Sequence, residues 1–285
     1  MTWRWTHRGA GLALLAILLA GGPAAPRAAD PETPAAVRSI DDYAAATAAA
    51  RETAAMLLVS VEPGDPSSDD AVGRRLGDPV VQRRFAAAGT PWIVCRLPRA
   101  AAATLVADPA LVSLRDGGGV FVVDFAHDSW RGRVVSLLPR AAGRYYRFSA
   151  AHVDELADLP AGSLTQRSLI LAVRIHPEAP QSTRGHFDPV LAEAATAHAA
   201  HQARIRRQGH HGWDARSRRL GGAASEICAQ SWEHLDLLDA CVDCVASWRQ
   251  SAGHWRNVAA VHAAYGYDLR RGGDGIWYAT GIFRD

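Results

Sequence analysis

The apolar positions of this chain change period several times, and each change marks an element. Asp41 to Ala55 is alanine-rich and reads as a helix, while "MLLVSVE" is an unbroken apolar run of strand length. A Gly/Pro/Ser/Asp stretch at Pro63 to Asp70 predicts a loop. It is followed by a polar helix near Val80 to Ala87, the strand "WIVCRL", a helical alanine run, the strand "VFVVDF" and a second β run, "RGRVVSLLP". Strands alternating with helices predict an α/β fold.

The pattern restarts after "ADLPAGSLTQRS". The run "LILAVRIHPE" is strand-like, and a helix is predicted from about Asp188 to Arg207, with Pro189 tolerated in its first turn. Leu191, Ala195, His198 and Gln202 share one face of that helix, which ends before Gly209. "GHHGWDARSRRL" reads as a loop and "SEICAQSW" as a short strand or turn. A second helix spans about Asp236 to Gln250, with Leu238, Cys241, Val242, Val245 and Trp248 as its apolar stripe. "SAGHW" then breaks the period, Gly253 being a natural stop just before His254. Tyr265 to Arg270 and Ile276 to Phe283 alternate around "GGDG" as a hairpin.

The N-terminus follows a different rule. Arg4 and Arg8 precede "GAGLALLAILLAGG" and then "PAAPRAA", the layout of a secretory signal peptide over residues 1–29. Ala24, Ala25, Ala28 and Ala29 are alternative cleavage points. The run falls short of the roughly 20 apolar residues of a spanning helix, so no transmembrane anchor is expected once the signal is removed. A linker follows at residues 30–38. The expected location is secreted or periplasmic.

Composition sharpens this picture. All 31 basic side chains are arginine, which excludes lysine nucleophile or Schiff-base chemistry. Loss of Arg4, Arg8 and Arg27, with no acid in that segment, takes the formal charge from +2 to −1, which argues against nucleic acid as the main partner. There is no Gly-x-Ser-x-Gly elbow, no phosphate loop ending in lysine, no His-Glu-x-x-His and no repeat at solenoid period.

Export permits disulfides, and Cys95, Cys228, Cys241 and Cys244 are the four candidates. Cys241 and Cys244 lie mid-helix rather than at a helix N-terminus after a strand, so the dipole that would activate a redox pair is missing. A zinc site would need a second close pair that Cys228 alone does not supply. A bridge from Cys228 to Cys241 or Cys244 stays open, and Cys95 reads as a buried strand residue.

Residues 39–158 resemble the thioredoxin-like fold in element order and in the paired late strands. The family's redox Cys-x-x-Cys would fall at "VEPGDPSSDD", which has no cysteine, so a scaffold or binding role is expected of this domain. Residues 166–285 resemble the CAP superfamily (SCP domain, pathogenesis-related 1-like) in its short bacterial form. The likeness rests on "QGHHGW", on "SEICAQSW", on "SWRQSAGHW" and on the closing Gly/Tyr-rich strands, in that order. It implies an α-β-α sandwich with a cleft lined by His210 (His211 being the weaker match), Glu226 and His254. The family's second glutamate falls at Ser251.

Two imidazoles and a carboxylate suit a divalent, zinc-like ion with an open position, or a neutral hydrogen-bonded cluster. The arginines at 204, 206, 207, 216, 218 and 219 read as a solvated helix end. The expected function is non-catalytic binding of a small amphipathic molecule, a cell-envelope component or a protein. The alternatives are a metal-assisted hydrolase or protease at His210/Glu226/His254, and a thiol oxidoreductase using Cys241 and Cys244.

Overall fold

The computed structural model describes residues 37–63 and 71–285. The signal segment, most of the linker and the loop at 64–70 lie outside the described residues. The described residues form two mixed sheets with helices on their faces, an α/β structure.

The first sheet has the order β1-β3-β2-β4-β5, from β1 (Arg38–Ile40), β2 (Met56–Val61), β3 (Trp92–Leu97), β4 (Gly119–Asp124) and β5 (Arg133–Pro139). β1, β3 and β2 run parallel, whereas β4 and β5 are antiparallel additions. β2 is buried on both faces, which explains its unbroken apolar run. Its alternate residues divide between two cores. Leu57, Val59 and Val61 join Ile93 and Phe121 under α1 (Tyr43–Glu52), while Met56 and Leu58 join Val94 and Val122 on the opposite side. The helices α2 (Ala71–Gly77), α3 (Pro79–Ala87), α4 (Arg99–Ala102) and α5 (His152–Glu155) complete this half.

The run expected to be a strand, "LILAVRIHPE", instead supplies the second half of α6 (Leu164–Arg174) and the turn that follows it. Ser163 accepts from the Gln166 amide and the Gln166 side chain accepts from the Ser163 amide, a reciprocal cap that starts a helix. Every residue from Gln166 to Val173 is buried, because α6 lies between β5 and the second sheet, with Arg167 donating to Ser136 Oγ and to the carbonyls of Leu156, Leu159 and Pro160. The run Leu169–Val173 is unbroken apolar sequence of strand length, and taken without the polar residues before it, it reads like a buried strand.

The second sheet has the order β6-β8-β9-β7, with β6 (His186–Phe187), β7 (Ala224–Gln230), β8 (Ala264–Arg271) and β9 (Trp277–Arg284). α7 (Pro189–Ile205) crosses one face, so close that a Cβ on Gly266 of β8 would lie 2.2 Å from the Ala192 amide nitrogen. α6 and α9 (Leu237–Arg249) cover the other face.

Two further expectations give way here. "GWDARSRRL" is not all loop, since α8 (Trp213–Arg219) forms within it and buries Arg216 and the following Leu220. Gly253 does not end a helix either. The chain leaves α9 at Gln250 and starts α10 (Ala252–Ala259) from Ser251, which puts Gly253 and His254 in its first turn.

The described residues belong to one compact unit. A single apolar core runs from Leu58 and Val122 of the first sheet through α6 to Trp248, Tyr267 and Phe283 of the second half. Among the described residues no helix is long and apolar enough to cross a membrane.

Candidate functional site

Glu226 projects from β7 and is buried, with only 1% of its side chain exposed. A carboxylate at that depth needs charged or hydrogen-bonding partners, and it has four, the Cys228 thiol donating to Oε1 at 3.8 Å among them. Arg216 of α8 donates from Nε, at 2.8 Å, and from a terminal nitrogen to Oε2. His210 Nδ1 lies 3.0 Å from Oε1, and His198 Nε2 stands 3.7 Å from the same oxygen. Both carboxylate oxygens are therefore occupied, and the guanidinium neutralises the charge.

The loop carrying His210 is held by α7. Gln202 Oε1 accepts from the Gly209 amide at 3.0 Å, and the Gly209 carbonyl accepts from His198 Nε2 at 2.8 Å. Gly209 has φ +149°, a conformation that favours glycine, so the chain turns between these two grips and presents His210 to Glu226. His210 keeps 46% of its side chain exposed.

His254 reaches the same place from the first turn of α10, its ring centroid 6.2 Å from that of His210. Burial, and then His210, lower the His254 pKa, so its imidazole favours the neutral form. Three segments distant in sequence thus bring His210, Glu226 and His254 together. His211 turns elsewhere and faces His201, with ring centroids 6.0 Å apart.

No family model matches the chain, and no curated protein matches it. A solved structure that matches is an outer surface protein from Borrelia burgdorferi, at 18% identity and TM-score 0.30, over 35% of this chain and 77% of that one.

The donor set decides what the cluster can hold. Among the described residues, the His, Cys, Asp and Glu atoms close enough to share an ion are those of His198, Glu226 and Cys228, within 4.8 Å of one another. Each is compromised as a ligand. His198 Nε2 is bonded to the Gly209 carbonyl, Glu226 is bound by Arg216, and burial pushes the Cys228 thiol well up. In the trio of His210, Glu226 and His254, the carboxylate is likewise spent, which leaves two imidazoles as free donors.

Arg216, which the sequence groups with solvated arginines, is instead the buried counter-charge of the site. His198 and Gln202 are recognisable in the sequence as polar residues four apart on an alanine face, the signal of a buried polar clamp. Beyond them, a groove of about 710 Å³ between α7 and α8 is lined by His201, Arg204, His211 and Arg219 as well as by His198 and Arg216.

The cysteines lie away from this chemistry or are sealed within it. All four are free and buried. Cys241 and Cys244 have no exposed surface, and burial raises both thiols well above the ordinary range. Cys95 is pushed up to about 11 by burial first and by Asp41 and Asp42 after it.

Proposed function

We propose that the chain is an exported, non-catalytic binding protein whose C-terminal half is a CAP-type module, presenting His210 and His254 to a small amphipathic ligand, an envelope component or a protein. One observation carries the reading: the carboxylate beside the two imidazoles is already neutralised by Arg216. A general acid or base must exchange protons with substrate, and Glu226 is bound on both oxygens. The position of the family's second glutamate holds Ser251.

The module reading is supported by helices on both faces of the four-stranded sheet, and by the meeting of the three residues carried over from the resemblance. A thioredoxin-like scaffold for the first half is supported by its element order and by the late antiparallel pair β4 and β5. Burial of Cys95, Cys241 and Cys244 removes support from a thiol oxidoreductase. A metal-assisted hydrolase draws support from one feature: Glu226 fixes Nδ1 of His210 and leaves Nε2 for a ligand, as carboxylates do behind metal-bound histidines.

Imidazole NMR separates the readings. Titration with sub-micellar dodecylphosphocholine is expected to move the His210 and His254 signals saturably, and His254→Ala is expected to weaken that binding. One equivalent of zinc per chain, with ester or peptide hydrolysis, both lost in His254→Ala, would replace binding by metal-assisted hydrolysis. Imidazole signals that stay still with the amphiphile would remove this class of ligand.

A further inference from the structure

The groove of about 710 Å³ between α7 and α8 changes character from one end to the other. α8 runs back beside α7. His211, just before α8, faces His201, whereas Leu220, just after it, shares a small apolar cluster with Leu191 and Ala195. On α7, Val190, Ala194, Ala197, His201 and Arg204 follow one another at intervals of three or four residues, so they form one stripe along the groove. The stripe is apolar over its first half, where Val190 leaves 59% of its surface exposed, and basic over its second.

The basic half offers hydrogen-bond donors. Arg204 donates to His201 Nδ1 at 2.8 Å, since a guanidinium has no lone pair with which to accept. His201 therefore carries its ring hydrogen on Nε2, which has no partner among the described residues. Neither Arg204 nor Arg219, both exposed, pairs with a carboxylate there.

No acid of the groove answers this charge. Glu193 is the one acid among the described residues that line it, and it precedes Arg204 by about 16 Å along the helix. Arg216 is already matched by Glu226. Burial, then Arg204, His211 and Arg216, lower the His201 pKa, so each side chain that acts on that ring is basic. The dipole of α7 favours a cation in its last turn and accounts for Arg204 alone. It accounts neither for the partnerless His201 donor nor for the exposed apolar half of the stripe.

A guanidinium beside an imidazole N–H suits the several acceptor oxygens of a phosphate. We propose that this groove is a second ligand site, separate from His210 and His254, for a small molecule with a phosphate head and an apolar body. The head lies at Arg204 and His201, and the body along Ala197, Ala194 and Val190. The volume falls within the range of small-molecule pockets, about 300–1,000 Å³.

The test is calorimetric titration of the full chain with 1-naphthyl phosphate. One saturable site per chain is expected, with inorganic phosphate and 1-naphthol each binding roughly tenfold more weakly or worse, because each engages half of the groove. Arg204→Gln should weaken binding about tenfold or more, the worth of one charge-assisted hydrogen bond. Ala197→Phe, at an exposed position, fills the apolar half and should weaken 1-naphthyl phosphate but not inorganic phosphate. Arg218→Gln removes an exposed arginine of α8 outside the groove and should bind as the wild type does. His254→Ala should also leave this affinity unchanged, so failure of the His210 reading is distinguishable from failure of this one. No saturable site, affinity indifferent to Ala197→Phe, or equal losses in Arg204→Gln and Arg218→Gln would each overturn the proposal, the last by showing a diffuse cationic face. Arg204-dependent binding to phosphatidylglycerol vesicles without binding of 1-naphthyl phosphate would replace it by a membrane contact.

Discussion

His198 shows how a single side chain ties stability to the candidate site. It is buried on α7 and grips the Gly209 carbonyl, so its pKa is lowered by burial first, with Glu226 opposing and Arg216 adding to the shift. A histidine whose folded pKa lies below its unfolded value of about 6.5 gives stability that is present above that pH and lost as pH falls through the folded pKa. The unfolded chain takes the proton first. His198→Gln keeps a donor for Gly209 but cannot titrate, so its urea midpoint should fall less steeply than the wild type's between pH 7.5 and 5.5. Asp243 and Asp268, whose carboxyl pKa values burial raises, contribute with the opposite sign at lower pH. The difference between variant and wild type cancels them, and parallel curves would show that His198 carries no such linkage. The meeting of His210, Glu226 and His254 was legible because Gly-His, Glu and Gly-His stand in that order along the chain. Arg216 was not, because in a protein whose 31 basic residues are all arginine nothing in its local sequence separates a counter-ion from a solvated neighbour.

At the scale of elements, the information was present for α6 and was outweighed by its apolar run. "SLTQ" before that run is a capping signature, and in the structure Ser163 and Gln166 satisfy each other's amides. Ser163→Ala should cost about 1 kcal/mol by chemical denaturation. For a chain of this size that corresponds to a fall of about 2–4 °C in melting temperature. No loss would mean that tertiary packing alone holds the N-terminus of α6. The strands β2, β3, β4 and β5 and the final hairpin were legible because their apolar runs are short and bounded by turn residues. α8 was hidden because its seven residues bury one charged face, against Glu226, and a helix whose buried face is charged leaves no hydrophobic period.

For the whole molecule the question is whether the two sheets stand or fall together. Asp239 sits near the start of α9, yet its carboxylate accepts three amides from residues 144–146 beyond β5, more than ninety residues back in sequence. Hydrogen bonds to a charged group contribute about 1.5–3 kcal/mol each and are not additive, so Asp239→Ala should destabilise by about 3 kcal/mol or more. How that loss is distributed is the sharper test. α6 belongs to the same apolar core as β2 and β8, so the opening that exposes one sheet strips the partner surface from the other. Native-state hydrogen exchange should then show the slowest amides of β2 and β8 losing protection by the same free energy in Asp239→Ala. Protection lost only around residues 144–146, or only in β8, would mean that the shared core does not couple the halves and that the molecule unfolds as two bodies.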